Sequence, residues 1–312
     1  MLQLLLGGSG SGKTTLLYQR IRARAEKGEK SILLVPEQFT SSTEGRIYRE
    51  LGDALSGMVE SFSFTSLAEK ILSTEGGAAV QTLSDAGRAV LVRRALEELQ
   101  DNVHYYHRHR RSAAFCQMAA QTIDELKSAG LSGQQLAQLA GACGAESGKL
   151  SELALIFQGY ETLLARSGMD PSDRLELAGA RLEEALARHS LPEFLRDRAV
   201  FIDEFDTFNA PKKRLLGALL EALPSVTVAL CDDGAPLLPG DLSLFSGAKQ
   251  VAAQLRQLAR KNGAEVAVPQ LLRKDLRHRN APGLAAVAEL LETGSCTCLL
   301  YTSPSPRDGL LS

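Results

Sequence analysis

Residues 1–20 read MLQLLLGGSGSGKTTLLYQR, and within them residues 7–14, GGSGSGKT, match the pattern G-x-x-x-x-G-K-[S/T] in full. The mostly apolar run Leu2–Leu6 precedes the glycines, and Leu17 and Ile21 follow them at the i, i+4 spacing typical of one helix face. A strand, a glycine-rich turn and a helix in this order are the context in which the pattern binds phosphate. The stretch therefore predicts a phosphate-binding loop.

The chemistry of this loop predicts which nucleotide groups it holds. Glycines let several backbone N–H groups converge on an anion, and the N-terminus of the following helix adds positive potential. The Lys13 ammonium is expected on the β- and γ-phosphates of ATP, and the Thr14 hydroxyl on Mg²⁺. The alternative is a glycine-rich turn that matches by chance. The predicted nucleotide-binding residues are Gly7, Gly8, Ser9, Gly10, Ser11, Gly12, Lys13 and Thr14, with ATP and Mg²⁺ as cofactors.

A second motif, AVFIDEFDTF at residues 199–208, places two carboxylates after four apolar residues. Hydrolysis of a nucleotide needs a carboxylate near the magnesium ion and another that orients or deprotonates water. We therefore predict that Asp203 binds the magnesium ion together with Thr14. Lys13 and Glu204 are the predicted catalytic residues, and Glu204 is the candidate base. An acidic turn between a strand and a loop is the alternative.

Short apolar segments alternate with helical patterns in much of the chain, which predicts an α/β fold with a mostly parallel sheet wrapped by helices. Between residues 84 and 188 the strand signals stop, and segments rich in Ala, Leu, Glu and Arg predict a large helical insertion. The predicted core thus comprises residues 1–83 and 189–297. Its further strands are expected at Ser31–Val35, Val59–Phe64, Ala199–Asp203 and Val226–Cys231, with a helix over Leu67–Leu72.

Composition restricts the class of protein. The 312 residues carry a net charge of -2 with 44% hydrophobic residues, so the chain does not coat nucleic acid through overall positive charge. No apolar run reaches the roughly 18 residues that span a bilayer, and the N-terminus lacks signal-peptide features. A cytoplasmic location without membrane contact is expected. The five cysteines suggest no disulfide framework, and Cys116, Cys143 and Cys231 are expected to be small buried hydrophobic residues.

The final residues, 298–312, read CLLYTSPSPRDGLLS and have no helical or strand periodicity. Cys298 to Asp308 resembles the translated read-through of a sequencing adapter, and the alternative is a natural disordered Ser/Pro tail. Such scars are excluded from fold reasoning. We expect the natural chain to continue beyond Thr297, so that these residues are the N-terminal part of a longer protein. Cys296 and Cys298 consequently do not support a metal or disulfide site.

Five segments in order resemble the amino-terminal part of the AddB (RexAB-type) family of bacterial helicase–nuclease subunits. The most specific are VPEQFT at residues 35–40 and SFSFTSLA at residues 61–68, and the resemblance extends from about residue 2 to about residue 290. The five segments are GGSGSGKT, SILLVPEQFTSSTEGRI, VESFSFTSLAEKIL, YETLLARSGMDPSDRLELAGARL and VFIDEFDTFNAPKKRLL.

This resemblance implies a superfamily 1 helicase-like P-loop scaffold, related to UvrD-type helicases. It implies an AddA-like helicase subunit as partner in a heterodimer that acts on double-strand DNA ends in homologous recombination, with recognition of a recombination hotspot sequence. The intact family member also has a C-terminal nuclease domain with a 4Fe-4S cluster. We expect the nuclease carboxylates, the cluster cysteines and the distal arginine motifs beyond residue 297.

Two motifs depart from true helicases of this type. In the D-E-x-Q-D motif, Asp206 stands at the Gln position and Thr207 at the position of the last Asp. In the G-D-x-x-Q motif, Gly240 and Asp241 are present, but Leu244 stands at the Gln position. These departures imply that the chain binds ATP but hydrolyses it slowly or not at all, with AddA as the motor. An active UvrD-like helicase and a stand-alone P-loop NTPase or kinase are the alternatives.

Candidate DNA contacts lie outside the loop. Gln38 and Thr40 follow the second predicted strand, where single-stranded DNA would pass in a helicase-like scaffold, and the alternative is a simple turn after Pro36. The stretch HYYHRHRRSAAF offers Arg108 and Arg110 for phosphates, although a solvated loop between helices also explains it. The basic stretch RKDLRHRNAP, which holds Arg273, Lys274, Arg277 and Arg279, has the same two interpretations.

Overall fold

A computed structural model describes residues 1–77, 79, 81–144 and 147–293. The predicted adapter-like tail at 298–312 and the cysteines Cys296 and Cys298 lie outside the described residues. Within the described ranges, no helix has both the length and the apolar character needed to cross a membrane.

The strands form a six-stranded sheet in the order β3-β2-β4-β5-β1-β6, and every pairing is parallel. The α/β class with a parallel sheet is thereby confirmed, as are the five predicted strands. The sixth was missed because the strand is only three residues long and begins with a glutamine. The strands are β1 (Leu2–Gly7), β2 (Ser31–Leu34), β3 (Val59–Phe62), β4 (Ala199–Ile202), β5 (Ser225–Cys231) and β6 (Gln270–Leu272).

Helices connect and cover these strands. The prediction that the third strand runs to Phe64 was wrong, because the Ser63 side chain accepts the Ser66 N–H in a capping box that begins a helix there. The helices are α1 (Lys13–Ala25), α2 (Thr40–Leu51), α3 (Asp53–Ser56), α4 (Phe64–Glu75), α5 (Asp85–Glu98), α6 (Ala113–Ser128), α7 (Gly133–Ala140), α8 (Ser147–Ser167), α9 (Pro171–Ala187), α10 (Ala210–Ala222), α11 (Ser246–Lys261) and α12 (Pro282–Thr293).

Both faces of the sheet are buried, as the apolar strands require. Along β1, Leu4 packs into one core cluster together with residues of α4, α9, α10 and α11. Its neighbour Leu5 packs into the opposite cluster with Leu17 and Ile21 of α1. The alternation follows from the two-residue period of a strand. The sheet is therefore a central layer between two layers of helices, and its carboxyl edge is open for a site.

The predicted helical insertion divides between two cores. Helices α5, α6 and α8 form a separate apolar cluster around Phe157 and Tyr160. Helix α9 instead contributes Leu175, Ala178 and Leu182 to the core of the sheet. The helical character of residues 84–188 agrees with the sequence pattern. The division of the chain into a core and an insertion stays a prediction.

Candidate functional site

The glycine-rich loop connects the carboxyl end of β1 to the first turn of α1. Gly10 and Gly12 have φ angles of +79° and +88°, in the left-handed region that favours glycine. Helix α1 begins immediately afterwards at Lys13, so the free N–H groups of its first turn face the loop. The local sequence thus produces the backbone nest that the motif predicted.

Lys13 is held against the loop itself. Its Nζ atom donates to the carbonyl oxygens of Gly7 and Gly8, each at 2.8 Å. The Ser11 N–H donates to the same Gly8 carbonyl at 3.3 Å, which closes the turn. The ammonium group is therefore positioned at the mouth of the loop, where an anion would meet it.

Asp203 meets this loop from a distant part of the sequence. Its N–H donates to the Leu34 carbonyl at 3.1 Å and continues the pairing of β4 with β2. The carboxylate accepts the Glu204 N–H at 3.1 Å, and Thr14 lines the same cleft. Burial raises the pKa of Asp203, whereas the neighbouring Thr14 hydroxyl and the Lys13 charge oppose the rise. The structure thus brings the two predicted magnesium partners together.

Glu204 occupies an unusual backbone conformation beside them. Its φ angle is +64°, which non-glycine residues rarely adopt, and such strain concentrates at functional sites. Burial raises the pKa of Glu204, the Asp203 charge raises it further, and Arg46 and Lys13 oppose this. Because its pKa is raised, the ionised carboxylate of Glu204 is a stronger proton acceptor than that of an ordinary glutamate, which suits a general base.

These groups line a cleft of about 430 Å³ at the carboxyl edge of the sheet. Gly8 and Ser11 line a neighbouring depression instead, and Gly7 ends β1 beneath the loop. The cleft brings together most of the predicted ligands with both acidic candidates. Its lining consists of Ser9, Gly10, Gly12, Lys13, Thr14, Thr15, Arg46, Asp203, Glu204, Phe205, Asp206, Ala229, Cys231, Leu276 and Arg277.

Two arginines in this lining were not predicted there. Arg46 comes from α2 and lies 4.9 Å from the centroid of the Tyr18 ring, and burial raises the pKa of Tyr18 to about 12. Arg277 comes from the basic stretch between β6 and α12, which the sequence indicated only as a loop or a DNA contact. The sequence could have indicated Arg46 as a cleft residue, because it belongs to the helix that follows a parallel strand at the ligand edge of the sheet.

The altered helicase motifs are also placed by the structure. Asp206 lines the cleft, whereas Thr207 is exposed and is not part of the lining. Leu244 is 65% exposed and also lies outside the lining. The Asp241 carboxylate accepts the Ser243 N–H at 2.8 Å and lies 3.3 Å from Lys249 Nζ. Neither Asp241 nor Leu244 of the altered G-D-x-x-Q motif thus lines the cleft.

The candidate DNA contacts fall into two separate regions. Gln38 is exposed in a short turn after β2, and the Thr40 hydroxyl donates to the Glu37 carbonyl at 2.8 Å. Arg108 and Arg110 lie far along the chain in the connection between α5 and α6, and neither lines the cleft. Their role as DNA contacts stays a prediction. Gln38 and Thr40 follow β2, the strand that pairs with β4, but they do not line the cleft either.

The described cysteines differ in environment. Cys116 is buried, as predicted, and burial raises the pKa of its thiol. The prediction of burial was wrong for Cys143, which is exposed near the end of α7. Cys231 is half-buried and lines the cleft.

Among the residues that the structure describes, no group of three or more His, Cys, Asp or Glu side chains is arranged to hold a metal ion. The magnesium prediction needs only a hydroxyl and one carboxylate, with the remaining oxygens from phosphate and water.

Comparison with known proteins identifies the relatives of this chain. The family model described as "ADDB, N-terminal" matches residues 4–288. A protein of Desulforudis audaxviator is 34% identical over 296 residues, 91% of this chain and 25% of that protein. A protein of Moorella thermoacetica is 33% identical over 299 residues, with 91% and 25% covered. Both are named as a subunit of an "ATP-dependent helicase/deoxyribonuclease". The chain thus spans about a quarter of the length of the curated relatives it matches.

Proposed function

The chain belongs to the AddB N-terminal family, and from this membership we propose that it is the nucleotide-binding part of an AddB-type subunit of an ATP-dependent helicase/deoxyribonuclease. It binds Mg·ATP in the cleft between the glycine-rich loop and the end of β4, within a superfamily 1 helicase-like P-loop fold. The single observation that carries this proposal is that Thr14 and Asp203, from two motifs that are distant in sequence, line the same cleft.

Each residue of the cleft has a defined part in this proposal. The loop N–H groups and Lys13 bind the phosphate oxygens, and Lys13 exchanges its bonds to Gly7 and Gly8 for them. Thr14 and Asp203 present the hydroxyl and carboxylate oxygens that Mg²⁺ prefers, together with phosphate oxygens and water. When bound, Mg²⁺ neutralises phosphate charge. Tyr18 and Arg46 support the wall of the cleft on the α2 side.

Hydrolysis is proposed to be slow in this chain. Glu204 lies in the cleft and can act as a base, but Asp206 occupies the position where a helicase has glutamine. A carboxylate cannot donate a hydrogen bond to the attacking water or the terminal phosphate in its ionised form, whereas an amide can. The combination favours tight binding with little turnover.

The activity of the whole protein is proposed from the names of the relatives. Because they are named as subunits of a helicase/deoxyribonuclease, we infer a cytoplasmic heterodimer with an AddA-like helicase that processes double-strand breaks and recognises a hotspot sequence. Gln38 and Thr40 would contact the DNA strand at the carboxyl edge of the sheet. Arg108 and Arg110 would contact phosphates from the helical part. The intact protein would also carry the nuclease domain and its 4Fe-4S cluster.

The experiment that tests the proposal is equilibrium binding of a fluorescent ATP analogue with Mg²⁺ to the 312-residue chain. Lys13→Ala removes a charge-assisted phosphate contact and should weaken binding roughly 10- to 100-fold. Lys261→Ala, which removes the same charge at the distant end of α11, is the matched control and should leave binding unchanged. Equal affinities for these two variants would place the nucleotide elsewhere.

Turnover distinguishes the alternatives. We expect slow hydrolysis that Glu204→Gln reduces further and that single-stranded DNA does not stimulate. DNA-stimulated turnover by the chain alone would favour an active UvrD-like helicase. Association with an AddA-like subunit in a pull-down would exclude a stand-alone kinase or switch.

A further inference from the structure

The basic segment between β6 and α12 lies directly on the glycine-rich loop. The Leu276 N–H donates to the Gly10 carbonyl at 3.0 Å. The Arg277 guanidinium donates from Nη1 to the Ser9 hydroxyl oxygen at 3.1 Å. Both Leu276 and Arg277 line the cleft that holds Lys13. A segment near the end of the described chain is thus part of the loop's own surroundings.

The fit between segment and loop is close. A Cβ atom added at Gly10 would lie 2.6 Å from the Cβ of Arg277, and one added at Gly12 would lie 2.9 Å from Leu276 Cδ1. Real Cβ atoms essentially never approach other atoms so closely. The two glycines therefore serve a second purpose besides their left-handed conformation, since they admit the backbone and side chains of this segment.

The segment is also fixed at its start, where it leaves β6. β6 pairs with β1 up to the partners Leu272 and Gly7, immediately before the segment begins. Asp275 Oδ1 then accepts the N–H groups of Arg277 and His278, each at 3.0 Å. Asp275 Oδ2 lies 2.8 Å from Nδ1 of His278. These bonds satisfy the Asp275 carboxylate within its own turn and fix the backbone of the turn that carries Arg277.

Arg277 adds a positive charge on the loop side of the cleft, whereas Asp203, Glu204 and Asp206 lie at the end of β4. The guanidinium is beside Ser9, within the glycine-rich loop. A guanidinium offers five N–H donors in a planar fork that matches two phosphate oxygens at once. Its bond to the Ser9 hydroxyl uses one of these donors, which leaves others for an anion bound by the loop.

We propose that Arg277 is a phosphate-binding residue of the nucleotide site, supplied by the same chain from the segment after β6. This inference rests on the proposed nucleotide binding. It assigns Arg277, within the basic stretch at residues 273–279, to the ATP site rather than to DNA. Since the segment is bonded to Ser9 and Gly10, nucleotide binding and the position of the segment are coupled.

The test uses the 312-residue chain and two probes, fluorescent Mg·ATP and inorganic tripolyphosphate as its competitor. Arg277→Ala should weaken both roughly 10- to 100-fold, because both present the same phosphates. Arg277→Lys should recover part of the affinity, since it keeps the charge but not the fork. Arg279→Ala removes the same charge two residues away, from a side chain that does not line the cleft, and should bind as the wild type does.

The outcomes separate this inference from the proposed function. If Lys13→Ala loses binding while Arg277→Ala binds like Arg279→Ala or more tightly, the phosphate role of Arg277 is overturned and the nucleotide site stands. If Arg277→Ala weakens ATP but not tripolyphosphate, the arginine contacts the base or sugar and the assignment to phosphate is wrong. If the wild-type chain binds neither probe, both proposals are overturned. Matching thermal unfolding of the variants, as expected for an exposed side chain, confirms that each one is folded.

Discussion

Thr14, in the first turn of α1, and Asp203, at the end of β4, line the same cleft. β5 lies between β4 and β1, the strand before the loop that leads to Thr14, so this pairing of residues spans more than one strand pair of the sheet. Because all the strands are parallel, their carboxyl ends share one edge, and the crossover connections deliver both motifs there. The sheet topology thus creates the site, and each motif alone is only a polar turn.

Thr14→Val removes the hydroxyl and keeps the shape of the side chain. We expect magnesium-dependent nucleotide affinity to fall roughly tenfold or more, because the proposed hydroxyl ligand of the magnesium ion is lost. Thr14→Ser keeps the hydroxyl and should retain most of the affinity. The measurement is nucleotide titration with Mg²⁺ and with EDTA, and Thr162→Val, on an exposed face of α8, is the matched control. An equal loss in EDTA would show that Thr14 acts on the phosphates and not on the metal.

Asp203→Asn should stabilise the protein at neutral pH while it weakens magnesium-dependent binding. Burial raises the pKa of Asp203, so the folded state holds its proton to a higher pH than the unfolded chain does. Stability therefore falls as pH rises from the usual value of 3.8 through the folded pKa. Asparagine keeps one oxygen acceptor for the Glu204 N–H without the charge.

The expected gain in the free energy of unfolding is about 0.5–2 kcal/mol, the usual range for stabilising substitutions at sites that trade stability for function. Urea unfolding at neutral pH measures it. The gain should disappear at a pH where the wild-type carboxyl is protonated, since both side chains are then neutral. A gain that persists at acid pH would contradict an electrostatic origin.

Local sequence was sufficient for much of this site. The loop, the strand before it and the helix after it depend on contiguous residues, so a pattern of eight positions predicts them. Asp203 was found in the same way, because an acidic residue directly after a buried strand of a parallel sheet must lie at the ligand edge. Its place in the same cleft as Thr14 follows once β1 and β4 belong to one sheet.

The remaining parts of the cleft depend on tertiary packing. Arg277 reaches the loop only because β6 pairs with β1, and a strand of three residues has no distinctive sequence signal. Helix α9 has the same composition as its neighbours α5 and α8, yet its apolar face packs on the sheet. Periodicity shows which residues of a helix are buried but not which core receives them.

Glu152 organises the connection that carries Arg108 and Arg110. Its carboxylate, on α8 and only 6% exposed, accepts backbone N–H groups from His104, Tyr105 and Tyr106. Glu152→Ala leaves these buried donors without a partner and should lower the free energy of unfolding by about 1–3 kcal/mol.

Chemical denaturation measures this loss, with Glu98→Ala as the control. Glu98 forms an exposed ion pair with Arg94, for which about 0.5 kcal/mol is expected. Nucleotide affinity should be unchanged in both variants, because neither glutamate lines the cleft. A decrease in affinity for Glu152→Ala would instead reveal coupling between the helical part and the nucleotide site.

Lys127 links three helices in a buried polar network. Its Nζ atom lies 2.8 Å from Asp170 Oδ2 and 2.7 Å from Asp173 Oδ2, and Tyr160 donates to Asp170 Oδ1 at 2.6 Å. Burial lowers the pKa of Lys127, but its hydrogen bonds to the two carboxylates outweigh this and raise the pKa above its usual value of 10.5. The ammonium form therefore stabilises the folded state, and this stabilisation is fully present below pH 10.5.

Lys127→Met keeps the length of the side chain and leaves Asp170, which is 1% exposed, without its cation. Loss of one partner of a buried pair costs about 3–5 kcal/mol, so a decrease of that size is expected in urea unfolding at pH 8. The difference from the wild type should shrink as pH rises through the pKa of Lys127, because the wild type then loses the same charge. Arg93→Met, in an exposed pair with Glu97, should change stability by less than about 1 kcal/mol at any pH. A difference for Lys127→Met that stays constant up to alkaline pH would mean that packing of the lysine stem, and not its charge, holds α6, α8 and α9 together.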